Sequence, residues 1–154
     1  DFEAISPKPN VIEEAGQAAT IAVAEEEFSL PEILQAINER IEKLLDKDHL
    51  IGHSYFLNIS DAKGLKQVFQ HNILPLLQEY FYGDFSKIGL VVGSGFVVQQ
   101  NSGITFASFQ HEDRDELAQQ PVTQIKEPAN MDDETFALAL NALLNKSPSN
   151  DQQE

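Results

Sequence analysis

The sequence predicts an α+β fold, in which a mainly helical bundle over residues 29–93 precedes a small antiparallel β-hairpin or sheet and a C-terminal helix. Three observations predict this class. Apolar residues recur at spacings of three and four through much of residues 29–93. Short β-branched and aromatic runs follow between 96 and 109. A second helical stripe lies at 132–144. A length of 154 residues is enough for one hydrophobic core, with residues 94–146 as an appended hairpin and helix.

Charge is concentrated at the two ends of the chain, which carries a formal net charge of −15. Residues 1–28 hold seven acids and one base, residues 29–110 hold eight and six, and residues 111–154 hold ten and three. An acidic surface repels phosphate, so no direct nucleic-acid binding is expected. The chain has no cysteine, which fits a cytoplasmic protein, and no apolar run that predicts a membrane span or leader.

The N-terminal 28 residues read as two pieces. Residues 1–12 contain Phe2 and Ile5 and then two prolines, a pattern typical of the end of a strand that leaves a core. Residues 13–28 are rich in Ala and Glu with no dominant period. They predict an acidic flexible insertion, with a short helix left open.

The first long helix is predicted to begin at Ser29-Leu30-Pro31-Glu32, because Ser29 can cap it, Pro31 suits a first turn and Glu32 completes a capping box. Gly52 and the polar residues before it are expected to end the helix. Its predicted apolar face is Ile33, Leu34, Ile37, Ile41, Leu44 and Leu45.

Two further helical stretches are predicted before residue 93. Ser60-Asp61 opens one, and Pro75 predicts a break or kink near Asn72 before the apolar stripe continues to Gly83. His53-Ser54 can cap a short element between the two long stretches. Residues 84–93 fit either a short helix or a strand.

The C-terminal region is predicted to contain a hairpin that joins Phe96–Val98 to Ile104–Phe109 across residues 101–103. Gly93-Ser94-Gly95 would be a hinge before it. A third strand over Pro121–Ile125 would follow an acidic loop at 112–116, and residues 132–144 would form the last helix. Residues 147–154 are expected to be a disordered tail.

Residue chemistry alone predicts no catalytic residue and no metal site. His49 and His53 stand four apart, but Gly52 interrupts the helix that would bring both imidazoles to one face. Ser54 lies directly beside His53, and adjacent residues rarely face each other as a nucleophile and its base. Gly93-Ser94-Gly95 lacks the lysine of a phosphate-binding loop.

Four consecutive patterns nonetheless resemble one family, the McrB-type AAA+ NTPases, the motor subunits of modified-cytosine-dependent restriction systems. The resemblance is to their C-terminal lid region and covers roughly residues 29–93. It is carried by Ile37-Asn38-x-Arg40-Ile41, Leu44-Leu45-Asp46-Lys47-Asp48-His49, Ile51-Gly52-His53-Ser54-Tyr55-Phe56 and Ile73-Leu74-Pro75-Leu76-Leu77-Gln78-Glu79-Tyr80-Phe81-Tyr82.

The resemblance implies a helical AAA+ lid at 29–93 and the end of the core NTPase subdomain at 1–12. It implies GTP or ATP with Mg in the full-length protein, a ring oligomer with neighbouring subunits, and a McrC-like nuclease partner. The chain has neither a G-x-x-x-x-G-K-[ST] loop (Walker A) nor the acidic strand end that holds magnesium (Walker B). It is therefore expected to be inactive alone and to contribute closure over the nucleotide and subunit packing.

The site residues follow from the same resemblance. Where many AAA+ lids place an arginine against the γ-phosphate, this sequence offers His53, with Arg40 on the preceding helix. The residues expected near the nucleotide are Gly52, His53, Ser54, Tyr55 and Arg40. Those expected in subunit or core packing are Ile37, Ile41, Tyr55, Phe56, Leu77, Tyr80 and Phe81, with the apolar stripe of the first helix, Tyr55 and Phe56 as the partner face.

A second hypothesis, of a different class, is a free-standing acidic protein-interaction module. It rests on charge alone, since acidic flanks are also typical of a merely solvated surface. A phosphate-binding loop encoded upstream of Asp1 would favour the motor, and a start codon next to Asp1 would favour the module.

Overall fold

The structure, a computed structural model, describes residues 19–101 and 103–147. The predicted strand end at 1–12, the first part of the predicted insertion and nearly all of the predicted tail lie outside these residues. Among the described residues, six α-helices and two separate two-stranded antiparallel sheets form a mixed fold. The α+β class with its helical bundle and C-terminal helix is therefore confirmed.

Helix α1 spans Leu30–Leu44 and begins at the predicted residues, but the carboxylate of Glu32 accepts from Nζ of Lys146 at 3.2 Å instead of completing the predicted capping box. The backbone N–H of Glu32 donates to Oγ of Ser29 at 3.2 Å, and Pro31 occupies the first turn, where its missing N–H costs no hydrogen bond. Most of the apolar face of α1 is buried, and α1 packs against helices α4 (Phe85–Val92) and α6 (Asp133–Leu144). Helix α1 is thus the central element of the bundle.

The second helical stretch runs without a break through the position of the predicted kink. Helix α2 (Ala62–Val68) continues through a π-helical segment (Phe69–Ile73) into α3 (Leu74–Tyr80). Pro75 has no N–H to donate and its ring would crowd the carbonyl four residues earlier in an α-helix. The wider π turn accommodates this, since the N–H of Leu74 donates to the carbonyl of Phe69.

Helix α3 ends at Tyr80, and the predicted stop residue Gly83 closes its C-terminal cap. The N–H of Gly83 donates to the carbonyl of Gln78 at 3.2 Å, and that of Tyr82 donates to Glu79 at 3.4 Å, the pairing of a Schellman motif. Tyr82 and Gly83 both have positive φ, at 52° and 81°. The alternative left open for residues 84–93 is decided as helix α4.

The prediction of a flexible insertion over residues 13–28 is wrong for its described part. Strands β1 (Thr20–Val23) and β2 (Glu26–Ser29) form a hairpin that buries Ile21, Val23 and Phe28. The two-residue turn has φ of 51° at Ala24 and 68° at Glu25. A turn with two positive φ values ordinarily uses Asn-Gly, so Ala-Glu gave no hairpin signal.

The second sheet corrects the predicted hairpin. Strand β3 (Val97–Gln100) pairs with β4 (Val122–Ile125), so that Val97 lies opposite Ile125. The predicted third strand is thus the partner of β3, and residues 104–109 form no strand. Part of the predicted acidic loop is helix α5 (Arg114–Gln119).

The C-terminal helix α6 completes the core of the bundle. The side chain of Asp132 caps it by accepting the N–H of Thr135 at 2.8 Å. Phe136 meets the rings of Phe69 and Phe96 edge-on at 6.1 Å, and those two rings stack at 4.7 Å. All three rings are fully buried, so residues before and after position 93 share one hydrophobic core.

The segment predicted as a hinge, Gly93-Ser94-Gly95, is tightly packed. A Cβ on Gly95 would lie 2.4 Å from Cα of Ala139 on α6, and Gly93 has a φ of 95°. Glycine is therefore required at both positions, at one by space and at the other by backbone conformation. Across the described ranges, every helix is too short or too polar to cross a lipid bilayer.

Candidate functional site

Four of the five residues predicted near the nucleotide, Gly52 to Tyr55, directly follow Ile51 in the chain. The side chain of Asn38 attaches Ile51 to α1. Its Nδ2 donates to the carbonyl of Ile51 at 2.9 Å, and its Oδ1 accepts the N–H of Ile51 at 2.7 Å. Asn38 is 7% exposed and Ile51 is 1% exposed. Two buried hydrogen bonds to one residue fix both its position and its orientation.

A short 3₁₀ turn, His53–Phe56, follows directly from this attachment. Phe56 is fully buried at its far end, so the turn is held at Ile51 and again at Phe56. Between these anchors, His53 is half-buried, while Ser54 and Tyr55 are exposed. The arrangement presents an imidazole, a hydroxyl and a phenol on a turn that is attached to the core on both sides.

Gly52 introduces this turn with an ordinary extended conformation, φ −76° and ψ 158°. A Cβ there would meet only Oγ of Ser54, at 3.9 Å. Neither backbone conformation nor crowding within the described residues requires glycine at this position. A side chain at this position would project from the surface of the turn, and glycine leaves that surface without a projection.

Arg40 is bonded to the end of a neighbouring helix. Its Nη1 donates to the carbonyl of Val91 at 2.8 Å, in the last turn of α4. Helix C-termini carry unpaired carbonyls and a partial negative charge, which a guanidinium satisfies. Arg40 therefore joins α1 to α4, and its predicted place near the nucleotide stays a prediction.

A second polar group lies beside the turn and was not predicted as part of the site. Nδ1 of His49 lies 2.6 Å from Oδ1 of Asp46, and the His49 ring meets the ring of Tyr80 edge-on at 4.9 Å. The hydrogen bond with His49 lowers the pKa of Asp46. Burial raises the pKa of Tyr80, and the nearby Tyr55 and Glu79 add to this.

Tyr80, His49 and Tyr55 thus form a polar aromatic surface next to the turn. In the part of the chain that the structure describes, no three His, Cys, Asp or Glu side chains are grouped so that they could hold a metal ion. Within this surface, the imidazole of His49 is hydrogen-bonded to Asp46.

The predicted packing residues divide between the core and the surface. Ile37, Ile41, Phe56, Leu77 and Phe81 are buried within this chain, Tyr80 is half-buried, and Tyr55 is 37% exposed.

Most of the apolar stripe of α1, from Ile33 to Ile41, and Phe56 are therefore unavailable to a partner, which corrects the predicted partner face. The physical reason is that α4 and α6 cover the stripe. Of the residues assigned to that face, Tyr55 is exposed, and Leu44 and Leu45 at the end of the stripe are half-buried.

Asn38 is the residue that sequence reasoning missed as part of the site. Its position carried a signal, since it lies four residues after Leu34 and three before Ile41, on the buried face of an amphipathic helix. A polar residue on such a face needs a buried partner. Only the fold identifies that partner as the backbone of Ile51.

Comparison with protein families gives a match over residues 29–89, to the family described as McrB, alpha-helical lid domain. Comparison with curated proteins gave no match. The matched residues begin at the cap of α1, contain the anchored turn and end within α4. Residues 29–89 of this chain are therefore a McrB-type AAA+ lid region.

Proposed function

We propose that this chain is the C-terminal lid of a McrB-like AAA+ NTPase, the GTP- or ATP-hydrolysing motor of a DNA restriction system, and that it contributes to closure over the nucleotide. The observation that carries the proposal is the turn that follows Ile51, which Asn38 anchors with two buried hydrogen bonds. A lid that closes on a ligand needs its contact residues held in place beforehand. The residues proposed to face the nucleotide are Gly52, His53, Ser54 and Tyr55.

Within the turn, His53 is the side chain best suited to contact a phosphate or a base edge. It is half-buried, and an imidazole can donate from either ring nitrogen or carry a positive charge. Arg40 has a guanidinium hydrogen bond to Val91 and serves the proposal as a positioning residue of the lid.

The phosphates and Mg would be held by the upstream core. The described residues offer no group of three metal-ligating side chains, and the sequence has no Walker A loop. A nucleotide bound by the core would meet only the edge of this chain. We therefore expect the chain to affect closure and affinity, and to be inactive alone.

The same proposal includes assembly. Tyr55, with His49 and Tyr80 beside it, is the exposed aromatic surface that a neighbouring subunit of a ring would contact. The full-length protein would work in the cytoplasm with a McrC-like nuclease subunit.

The test is His53→Ala in the complete protein. We expect nucleotide affinity or the hydrolysis rate to fall by about tenfold, the size of one lost charge-assisted hydrogen bond. Lys63→Ala on the exposed side of α2 is the matched control and should leave both values unchanged. Oligomeric state is measured on the same samples, and unchanged kinetics with intact assembly would defeat the proposal.

A further inference from the structure

The segment between β3 and β4 exposes apolar side chains. Among its described residues, 101 and 103–121, none is buried. Phe109 is 75% exposed, Ile104 56% and Leu117 41%, whereas the helical bundle buries most of its large apolar side chains. A grouped set of exposed apolar residues is typical of a surface that another molecule covers.

Arg114 gives this segment a defined shape. Its Nη1 donates to the carbonyls of Ala107 at 2.7 Å and Phe109 at 3.0 Å, and its Nη2 donates to that of Phe106 at 2.9 Å. The guanidinium also lies over the ring of Phe106, 5.8 Å from its centroid. One side chain thus gathers residues 106–109 around the start of α5.

A groove of about 300 Å³ results from this arrangement. A groove of this size takes one or two apolar side chains of a partner. Its walls are mostly apolar, and its lining residues are Phe106, Ala107, Phe109, His111, Arg114 and Leu117.

Four carboxylates lie beside the groove, at Glu112, Asp113, Asp115 and Glu116, and all four are exposed. Over the described ranges, no Lys, Arg or His nitrogen lies within 4.0 Å of any of them. The one base among them, Arg114, has its donors directed at backbone carbonyls.

The negative charge of the four carboxylates indicates which kind of molecule the groove binds. A nucleic acid or an anionic membrane would be repelled, and a second copy of this chain would bring a net charge of −15 to the same place. A basic segment of another protein would be attracted to the carboxylates while its apolar side chains filled the groove.

We propose that the groove between Phe106, Phe109 and Leu117 is a docking site for a protein segment that carries an aromatic or aliphatic anchor flanked by Lys or Arg. The site lies outside the residues that match the lid family, 29–89. It is independent of any contact between the lid and a nucleotide, so the two proposals can fail separately.

The experiment selects ligands for the 154-residue chain from a random dodecapeptide phage library. We expect enriched peptides to carry a large apolar residue next to Lys or Arg. A fluorescein-labelled peptide of the enriched sequence is then titrated by anisotropy. Phe109→Ser and Leu117→Ser should each weaken its binding about tenfold or more, as for a central interface residue. The double charge reversal Glu112→Lys with Glu116→Lys should weaken it and reduce its salt dependence.

Leu138→Ser is the matched control, because Leu138 is 56% exposed on α6 and does not line the groove. Circular dichroism should show that all variants stay folded, since none of the changed side chains is buried. The proposal is overturned if no peptide is enriched, if acidic peptides are selected, or if Leu138→Ser weakens binding as much as Phe109→Ser. Self-association of the chain that Phe109→Ser abolishes would assign the groove to a second copy, and would also overturn it.

Discussion

The helical bundle and the segment over residues 101–121 are both shaped by a side chain that hydrogen-bonds to the backbone. They differ in burial. In each, one polar side chain holds a stretch of backbone: Asn38 holds Ile51, and Arg114 holds the carbonyls of Phe106, Ala107 and Phe109. Ile51 and the nearby Phe56 are buried, whereas no described residue of 101–121 is. Hydrogen bonds therefore shape both segments, but only burial makes the first one part of the core.

The hydrophobic core extends beyond the residues that match the family. The match ends at residue 89, yet Phe96 and Phe136 pack against Phe69 in the middle of the bundle. Strand β3 and helix α6 therefore share the hydrophobic core of the helical bundle, and the exposed segment extends from that core.

The largest effect is expected from Phe96→Ala. It should lower the free energy of unfolding by about 3–5 kcal/mol, because Phe96 is fully buried and stacked on Phe69. Phe109→Ala in the exposed segment should change it by less than about 0.5 kcal/mol. Urea unfolding followed by circular dichroism measures both, and equal losses would contradict the division into core and surface.

The second largest effect is expected from Asn38→Ala. It should lower the free energy of unfolding by about 2–4 kcal/mol, because it leaves a buried N–H and a buried carbonyl of Ile51 without partners. Arg114→Ala should leave global stability nearly unchanged, since the carbonyls that it releases lie on exposed or half-buried residues. Hydrogen exchange should then rise around residues 106–119 alone. A global loss in Arg114→Ala would show that the segment supports the core.

Gly95→Ala should cost about 1–3 kcal/mol, because the new methyl group would overlap Ala139 on α6 and push the helix outward. The matched control is Gly103→Ala in the exposed segment, where an added Cβ meets nothing within 4 Å. Thermal unfolding of both variants measures the difference. If Gly95→Ala left the stability unchanged, α6 would be free to move.

The smallest expected effect is the pH dependence from Asp132. Hydrogen bonds from Thr135 lower the pKa of Asp132 in the folded state. Its stabilisation is thus present above the unfolded pKa of about 3.9 and is lost as the pH falls through the folded value. Asp132→Asn keeps a capping oxygen without the titration, so its unfolding free energy should fall less than that of the parent chain between about pH 5 and 2. If the unfolding free energies of Asp132→Asn and the parent chain fell equally with pH, this assignment would be contradicted.

Local signals predicted the parts of the fold that depend on neighbouring residues in the chain. Ser29 and Asp61 cap their helices because a side-chain oxygen needs only the N–H three residues later. The apolar stripe of α1 and the stop at Gly83 are local in the same sense. The four sequence patterns of residues 37–82 likewise carried the family and most of the candidate turn.

Partners distant in sequence were decided by the fold. Residues 101–103 suggested a local hairpin, but β3 pairs with β4 more than twenty residues later. The carbonyls of residues 106, 107 and 109 bond to Arg114 instead of a neighbouring strand. The hairpin β1–β2 was missed because its Ala-Glu turn carries no turn residue, and burial of Phe28 compensates for that turn.

The sequence by itself determined helices α1, α2, α3 and α6, the cap of α1 and the family of residues 29–89. The tertiary structure alone decided that Asn38 anchors the candidate turn, that the stripe of α1 faces inward, and that residues 103–121 stay outside the core. The physical reason is the range of the interactions. Caps and helical periods act within one or two turns of chain, whereas a buried hydrogen bond or a shared aromatic core depends on which distant segments the fold brings together.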